Sequence, residues 1–525
     1  MANHYVSQNS AAAADGSSLA NTWGVTDFNT SSNWSSTPGT SGKISPGDTV
    51  ILNGTISSRL LVQGSGSSGN IITILFATGA IMSAATWGGH SALSIAGNSY
   101  ITVDGGATGT IGGYYGNPTL SNGIIENTSN GTLLATQNND TGIACQDCTN
   151  ILIKGLIIRN IYVQINNCTD AQVNVSLSYG QGFSNIYNGG TASNNIKVTN
   201  CIIHDVQNGV FFDYAPSSNT FEMSFCTAYN CNWGGAAGDH GSTSAITGLS
   251  VHDNYFYNWE SWTSTGANAR ALFHHNGFYA YAASNGSLAN VNIYNNFCGP
   301  GFDSVQSTAG IFLYGKLIGT GLIYNNILVA DASGNAADAS IFAWIIGGGA
   351  NSVKIYNNTI VGVGNGAGIE VYSGNSDGST TYDIKNNLVS GMATAITWYY
   401  NTFGTLTADY NIGYGLLNGQ QYSSSSNSSS AFKTFTQWQG LGFDLHGNTG
   451  NPNLNSNYIP QSPSSANGSG IDLSNYFTTD FSGVSRIDPW WIGALVGNSI
   501  FTGLIYAAIE NYRKFYIAGN FGGGL

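Results

Sequence analysis

The side chains best suited to chemistry crowd into one stretch, from His204 to His275. It holds His204, His240, His252, His274 and His275, the acids Asp205, Asp213, Glu222, Asp239, Asp253 and Glu260, and the arginine Arg270. Hydrolysis of a glycosidic bond needs two carboxylates flanking it. Asp213, Glu222, Asp239, Asp253 and Glu260 form the pool from which such a pair would come. Elimination asks for a base and for neutralisation of a neighbouring carboxylate, work for Lys, Arg or a cation. No lysine occurs between Lys197 and Lys316, and Arg270 is the one fixed cation between them, so the stretch favours hydrolysis over elimination. The pair selected is Asp239 with Glu260, with His240 beside the first. The ligand-holding set is Trp259, Trp262, Arg270, His274, His275 and Tyr279.

Each residue also has a plainer reading. Asp253 stands where other copies of a repeat carry a turn asparagine. His252 takes the place of a tyrosine in those copies, which suggests packing, and His204-Asp205 follow a strand and suit bonding a loop. Arg270 and Glu260 make a reasonable surface ion pair. His274 and His275 are adjacent, and neighbours on a strand point to opposite faces, which argues against a metal pair. Neither a metal nor a cofactor is called for.

These residues need elements to position them, and the sequence supplies a repeat. Val291-Asn-Ile-Tyr-Asn-Asn-Phe297, Gly321-Leu-Ile-Tyr-Asn-Asn-Ile327, Val353-Lys-Ile-Tyr-Asn-Asn-Thr359 and Tyr382-Asp-Ile-Lys-Asn-Asn-Leu388 share one ending. Aligned on the first residue of the Asn-Asn step, the copies fall at Gly155, Leu177, Asn200, Phe225, Asp253, Asn295, Asn325, Asn357, Asn386 and Tyr410. Spacings in this range mark a solenoid, and most are too short for a propeller blade. Alternating Ile and Val fill an interior, and the Asn-Asn step turns the chain, because asparagine tolerates left-handed angles. Stacked asparagines can also ladder their amides from coil to coil. The expected fold is all-β, a parallel β-helix with an N-terminal cap and a C-terminal extension. Its divisions are a cap over 1–45, the helix over 46–415, a closing part with a Ser/Asn loop tract over 416–495, and an extension over 496–525 in which 500–518 has an amphipathic helical pattern.

Composition narrows the partners. Charged residues are 7% and hydrophobic ones 42%, so the chain can bury a core while its surface must be neutral and polar. A net charge of −13 with 13 Lys and Arg excludes nucleic acid, which needs clustered cations. A surface rich in amides, hydroxyls and aromatic rings suits glycans. The seven cysteines lack the pairing of a zinc site and read as buried core residues. Polar residues and glycines interrupt the apolar run after Trp490, which disfavours a membrane span. The opening Met1-Ala2-Asn3-His4 shows no signal peptide. A virion protein, released by lysis, would reconcile that opening with an extracellular composition.

The chain resembles the pectate-lyase-like superfamily of right-handed β-helix proteins. The likeness lies in the entry Ile44-Ser-Pro-Gly-Asp-Thr-Val50, the Asn-Asn coils, and a closing segment Asp480-Phe-Ser-Gly483-Val-Ser-Arg486 followed by Ile492-Gly493-Ala494. It implies the fold over about residues 40 to 495 and leaves activity open, since the superfamily includes lyases, hydrolases and spikes. The first residues are similar to the openings of phage tail and fibre β-helices, which implies a homotrimer and other virion proteins as partners. The leading expectation is a virion surface part facing surface polysaccharide. The rivals are a glycoside hydrolase or depolymerase and a bacterial adhesin.

Overall fold

The computed structural model describes the chain apart from residues 115, 118–121, 130–139, 162–179, 186–192, 214–218, 239–244, 259–274, 283–285, 302–306, 331–338, 348–350, 364–365, 375–379, 400–403, 424–430 and 498–525. Thirteen short strands, from Asn3–Val6 to Gly404–Asp409, stack in chain order as one parallel sheet, the first row. A second row runs from Thr55–Ile56 to Ile412–Tyr414, and a third from Leu60–Leu61 to Gly419–Ser423. The strands Ile202–Asp213 and Thr227–Gly238 pass through both the second and third rows and join them. Each coil therefore contributes to three faces. The molecule is a right-handed parallel β-helix, as the repeat predicts, and parallel crossovers favour that hand.

The interior follows from alternation. Val50, Ile74, Val103, Ile153, Val198, Met223, Val251, Ile293, Ile323, Ile355, Ile384 and Ala408 lie in register, one per coil, all buried. Each fully buried aliphatic side chain of this kind contributes roughly 1.5–3 kcal/mol. The residues before and after point outward, which leaves the outer faces free for other work.

The corner between the first and second rows is the Asn-Asn step. Gly155, Asn200, Phe225, Asp253, Asn295, Asn325, Asn357, Asn386 and Tyr410 all take left-handed angles, from φ 48° at Asn357 to φ 67° at Gly155; Leu177 lies outside the described residues. The amide ladder belongs to the second residue of the step. Asn254, Asn296, Asn326, Asn358, Asn387 and Asn411 are buried, and each donates its Nδ2 to the Oδ1 of the next at 2.9–3.0 Å. Asn411 passes the ladder to Asp444 Oδ1 at 2.8 Å. Cys201 and Cys226 hold the same position in earlier coils. The six described cysteines are free and buried, while Cys168 lies outside the described residues.

Two segments cover this corner from outside. In residues 105–117, Ile111 and Gly112 donate backbone N–H groups to Asn200 Oδ1 at 2.6 and 3.2 Å. The closing segment runs back along later coils, where Asn325, Asn357 and Asn386 donate to the carbonyls of Thr479, Trp491 and Ile471. Arg486, buried, donates through Nη2 to Asn325 Oδ1 and to the carbonyls of Gly493 and Ala494 at 2.8–3.1 Å. Asp480, also buried, accepts from the N–H groups of Ser482, Val484 and Val496. The two segments meet where Tyr114 stacks on Phe297 at 4.2 Å and touches Phe481 edge-on at 5.9 Å.

At the N-terminal end, Asn3–Val6 pairs in parallel with Thr49–Leu52, and Trp23, Phe28 and Trp34 pack into the core. That closes an edge that would otherwise offer unpaired strand groups. Among the described residues no helix is long and apolar enough to cross a membrane.

Candidate functional site

With the first corner covered on both sides, the outer face of the third row becomes the notable surface. Two of its register columns are built from rings. One reads Phe211, Ala236, Tyr279, Phe312, Phe342, Glu370 and Thr397; the other reads Asp213, Gly238, Tyr281, Tyr314, Trp344, Tyr372 and Tyr399. The residues between them, such as Phe212, Ala280, Leu313, Ala343 and Val371, point into the core. Tyr279, Tyr281, Tyr314, Trp344, Tyr372 and Tyr399 are half-buried.

The columns differ in geometry. Tyr279, Phe312 and Phe342 stack face to face at 4.9 and 4.8 Å, so neighbours occupy their faces. Tyr314, Trp344, Tyr372 and Tyr399 meet edge to face, with interplanar angles of 81°, 82° and 74°. Rings set this way cannot cover one another's faces in full. This second column is the better platform for a flat apolar ligand face, and its phenols and indole supply polar edges. Burial raises the Tyr279 phenol above its ordinary range, so the ring is neutral.

At the early end of the platform stands Asp213, the last residue of Ile202–Asp213, 2% exposed. Its backbone is clamped from both sides by Asn185, which accepts from the Asp213 N–H at 2.9 Å and donates to the Asp213 carbonyl at 2.6 Å. The register partner of Asp213 is Gly238, and the Tyr281 ring lies over Gly238, so close that a Cβ there would stand 2.2 Å from it. Trp233 meets Tyr279 edge-on at 5.4 Å.

Of the residues selected from sequence, Tyr279 lies on this face, in the column of stacked rings. His275 opens the strand His275–Ala282 on the third row and is buried. Asp239, His240, Trp259, Glu260, Trp262, Arg270 and His274 lie outside the described residues. In the sequence, Asp239 is the residue after Gly238, where Thr227–Gly238 ends, and Glu260 comes three residues after Tyr257. The pool of five acids is split. Asp213 is on the third row, whereas Glu222 and Asp253 belong to the first.

On the first row they surround His252. His252 Nδ1 is 2.7 Å from Asp253 Oδ2, His252 Nε2 is 3.2 Å from Glu222 Oε1, and Lys197 Nζ is 2.6 Å from the same oxygen. Burial lowers the His252 affinity for a proton, but the two carboxylates outweigh it and raise the imidazole above its ordinary value. The His252 hydrogen bond, helped by Lys197 and Ser224 against burial, takes Glu222 down to about 2. The His252 ring stacks on Tyr294 at 4.7 Å, and Tyr294 on Tyr324 at 4.9 Å. This is an ionic and aromatic spine with its groups spent on one another, as the plainer reading of His252 and Asp253 holds. His204 and Asp205 bond each other at 2.6 Å within Ile202–Asp213, and His204 stacks on Tyr229. They lie inside a strand and not after one. Among the described residues no cluster of His, Cys, Asp and Glu is arranged to hold a metal.

Reading from sequence missed the platform and Glu370. The signal was present as a two-residue repeat, Tyr279-x-Tyr281, Phe312-x-Tyr314, Phe342-x-Trp344, Glu370-x-Tyr372 and Thr397-x-Tyr399. A second left-handed corner, at Asn160, Asp205, Asn230 and Asn258, was missed too. The chain stretches 160–180 and 258–274, which lead into third-row strands, begin there.

No family model matches the chain, and no curated protein matches it. Among solved structures it is similar to the GH136 lacto-N-biosidase from Eubacterium ramulus, at 11% identity and a TM-score of 0.37, over 80% of this chain and 67% of that one. It is similar to pectate lyase Pel9A at 13% identity and a TM-score of 0.39, over 95% and 97%. A third is the alginate lyase from Paenibacillus sp. str. FPU-7, at 13% identity and a TM-score of 0.29, over 72% and 92%. The β-helix assignment rests on the strand pairing above.

Proposed function

We propose that this protein is a carbohydrate-acting β-helix of the glycoside-hydrolase type, with its polysaccharide lying across the outer face of the third row. The observation that carries the reading is the edge-to-face column Tyr314, Trp344, Tyr372 and Tyr399 with Asp213, its backbone clamped by Asn185, at its early end. Sugar rings present apolar faces that pack on aromatic side chains, and their hydroxyls bond phenols and amides. Asp213 and one of Asp239 and Glu260 are the two carboxylates of the reaction. One protonates the departing glycosidic oxygen. The other draws a proton from the attacking water or attacks the anomeric carbon itself, and water then supplies the new hydroxyl on the released sugar. His240 and Arg270 are the remaining polar candidates near these acids in sequence.

The test is release of reducing ends from capsular or lipopolysaccharide glycans. Activity that Asp213→Asn and either Asp239→Asn or Glu260→Gln abolish by about a hundredfold or more supports the reading. Binding with no release by the unaltered chain would reject hydrolysis and favour the non-catalytic surface protein, whose glycan platform is the same. Virion placement, virion partners and a trimer rest on the sequence expectation alone. Association with capsid or tail proteins and light scattering test them.

A further inference from the structure

A second polar site lies far from the ring platform, where the N-terminal segment meets the first two coils. There an open cleft of about 470 Å³ is bounded by Gln8, Asn29, Ser58, Arg59, Thr86 and Trp87, among others. Its walls are fixed by hydrogen bonds within the protein. Gln8 is held by Ser57 N–H at 2.7 Å and by its own donation to Ser58 at 3.0 Å. Asn29 accepts from Leu61 N–H at 2.7 Å and donates to the Arg59 carbonyl at 3.0 Å. The opposite wall is set by buried Asp140, which accepts from Thr86 Oγ1, Trp87 N–H, Gly89 N–H and Asn127 Nδ2 at 2.7–2.8 Å. Asp140 thereby spends both oxygens on the loop that carries Trp87.

Arg59 is the one fixed charge on the lining. Its Nε donates to the Ser91 carbonyl at 2.9 Å, which holds the side chain in place. Among the described residues no carboxylate stands within ion-pair distance of it, so the Nη fork has no protein anion to answer it. Burial pulls this guanidinium below its ordinary value and the charge of Asp140 works the other way. A half-buried guanidinium with an open fork matches a carboxylate, since both are planar and can bond twice. The exposed side chains of Asn9, Thr26 and Ser57 on the remaining lining match sugar hydroxyls.

We infer that this cleft binds a carboxylate-bearing sugar, a uronic acid residue, with the carboxylate on Arg59 and the hydroxyls on the polar lining. The site is independent of the third-row platform, so it stands or falls separately from the hydrolase reading. The cleft has room for a whole pyranose, and its place at the first coils of the same solenoid lets it take the free end of a chain or a single monosaccharide. The test is calorimetric titration of the full chain with D-glucuronate, D-glucose and inorganic phosphate. Expected are millimolar binding of glucuronate and binding of the other two weaker by about tenfold or more. Arg59→Gln should lose glucuronate by about tenfold or more, at an unchanged thermal midpoint, and Arg59→Lys should keep part of it. No glucuronate binding overturns the site. Equal binding of glucose overturns the role of Arg59, and equal binding of phosphate overturns the sugar. Unaltered binding by Arg59→Gln also overturns it. If Arg59→Gln does not fold, the partial loss in Arg59→Lys carries the same decision.

Discussion

Gly238 is where a single methyl group would be felt most on the third row. Its backbone angles suit any residue, so the conflict is steric: a Cβ would press into the Tyr281 ring beside Asp213. Gly238→Ala should push Tyr281 outward and lower glycan affinity by about tenfold, while overpacking costs about 1–3 kcal/mol of stability. Affinity measured by glycan array or calorimetry that matches the unaltered chain would remove Tyr281 from the site. His252 supports a different kind of prediction. Its folded value is raised, so its ion-pair contribution is complete below its ordinary 6.5 and fades as pH climbs through the folded value. Glu222, lowered to about 2, contributes above its ordinary 4.5 and loses that contribution as pH falls toward about 2. Glu222 and His252 therefore both carry their charge between about pH 5 and 6. His252→Gln should flatten the decline of the thermal midpoint between about pH 6 and 8. Parallel midpoint curves for the two proteins would show that His252 contributes by stacking alone.

The asparagine ladder is the element that turns a set of strands into a stack with one register. Asn358 Oδ1 accepts from the N–H and Nδ2 of Asn326, and its Nδ2 donates to the Ile323 carbonyl at 3.1 Å. Asn358→Leu leaves the Asn326 N–H and the Ile323 carbonyl buried without partners, at about 1–3 kcal/mol each. Asn358→Cys should lose less, because Cys226 fills the equivalent place with its thiol 3.3 Å from the Ser224 carbonyl. Denaturant midpoints in the order native, Cys, Leu are expected, and a Leu variant as stable as the native chain would deny the ladder its role. This element was legible in sequence for a physical reason. Every coil must place one residue in the left-handed region, and few residue types tolerate it, so Asn, Asp and Gly recur there. Phe225 and Tyr410 take the same angles with no local preference for them, so there the stack overrides propensity. The third row was illegible because chain of varying length separates it from the corner that sets the register. That offset decides which face a residue occupies, and alternation alone could not tell that Asp213 lies on the third row while Glu222 and Asp253 lie on the first. Of the residues selected for chemistry, Trp259, Glu260, Trp262, Arg270 and His274 fall in the stretch 259–274, outside the described residues, while the regular coils carry Tyr281, Tyr314 and Trp344.

A solenoid has few contacts between distant coils, so each coil is held mainly by its two neighbours. The closing segment changes that here by binding three successive corners at once, through Asn325, Asn357 and Asn386. Arg486 is its anchor. It lies between the Asn325 side chain and the carbonyls of Trp491, Gly493 and Ala494, and burial brings it down to about 10, which still leaves it charged at neutral pH. Its plane also sits 5.3 Å from the Trp490 ring and 5.7 Å from the Phe477 ring. Arg486→Ala removes the donor and leaves those carbonyls buried, a loss of about 3–5 kcal/mol. The loss should fall unevenly. The inner rows and the ladder do not involve Arg486, so the coils should keep their strand pairing while the segment from Asn448 to Val496 lifts away. Hydrogen exchange should then quicken at Thr479–Ala494 and at Tyr114 and Phe297, where the two covering segments meet, and stay slow at Val251, Ile293 and Ile323. Limited proteolysis should cut first inside the closing segment. Uniform acceleration across all three rows would mean that the segment and the coils unfold as one unit, and that this solenoid is not built from neighbour contacts with a separable clasp.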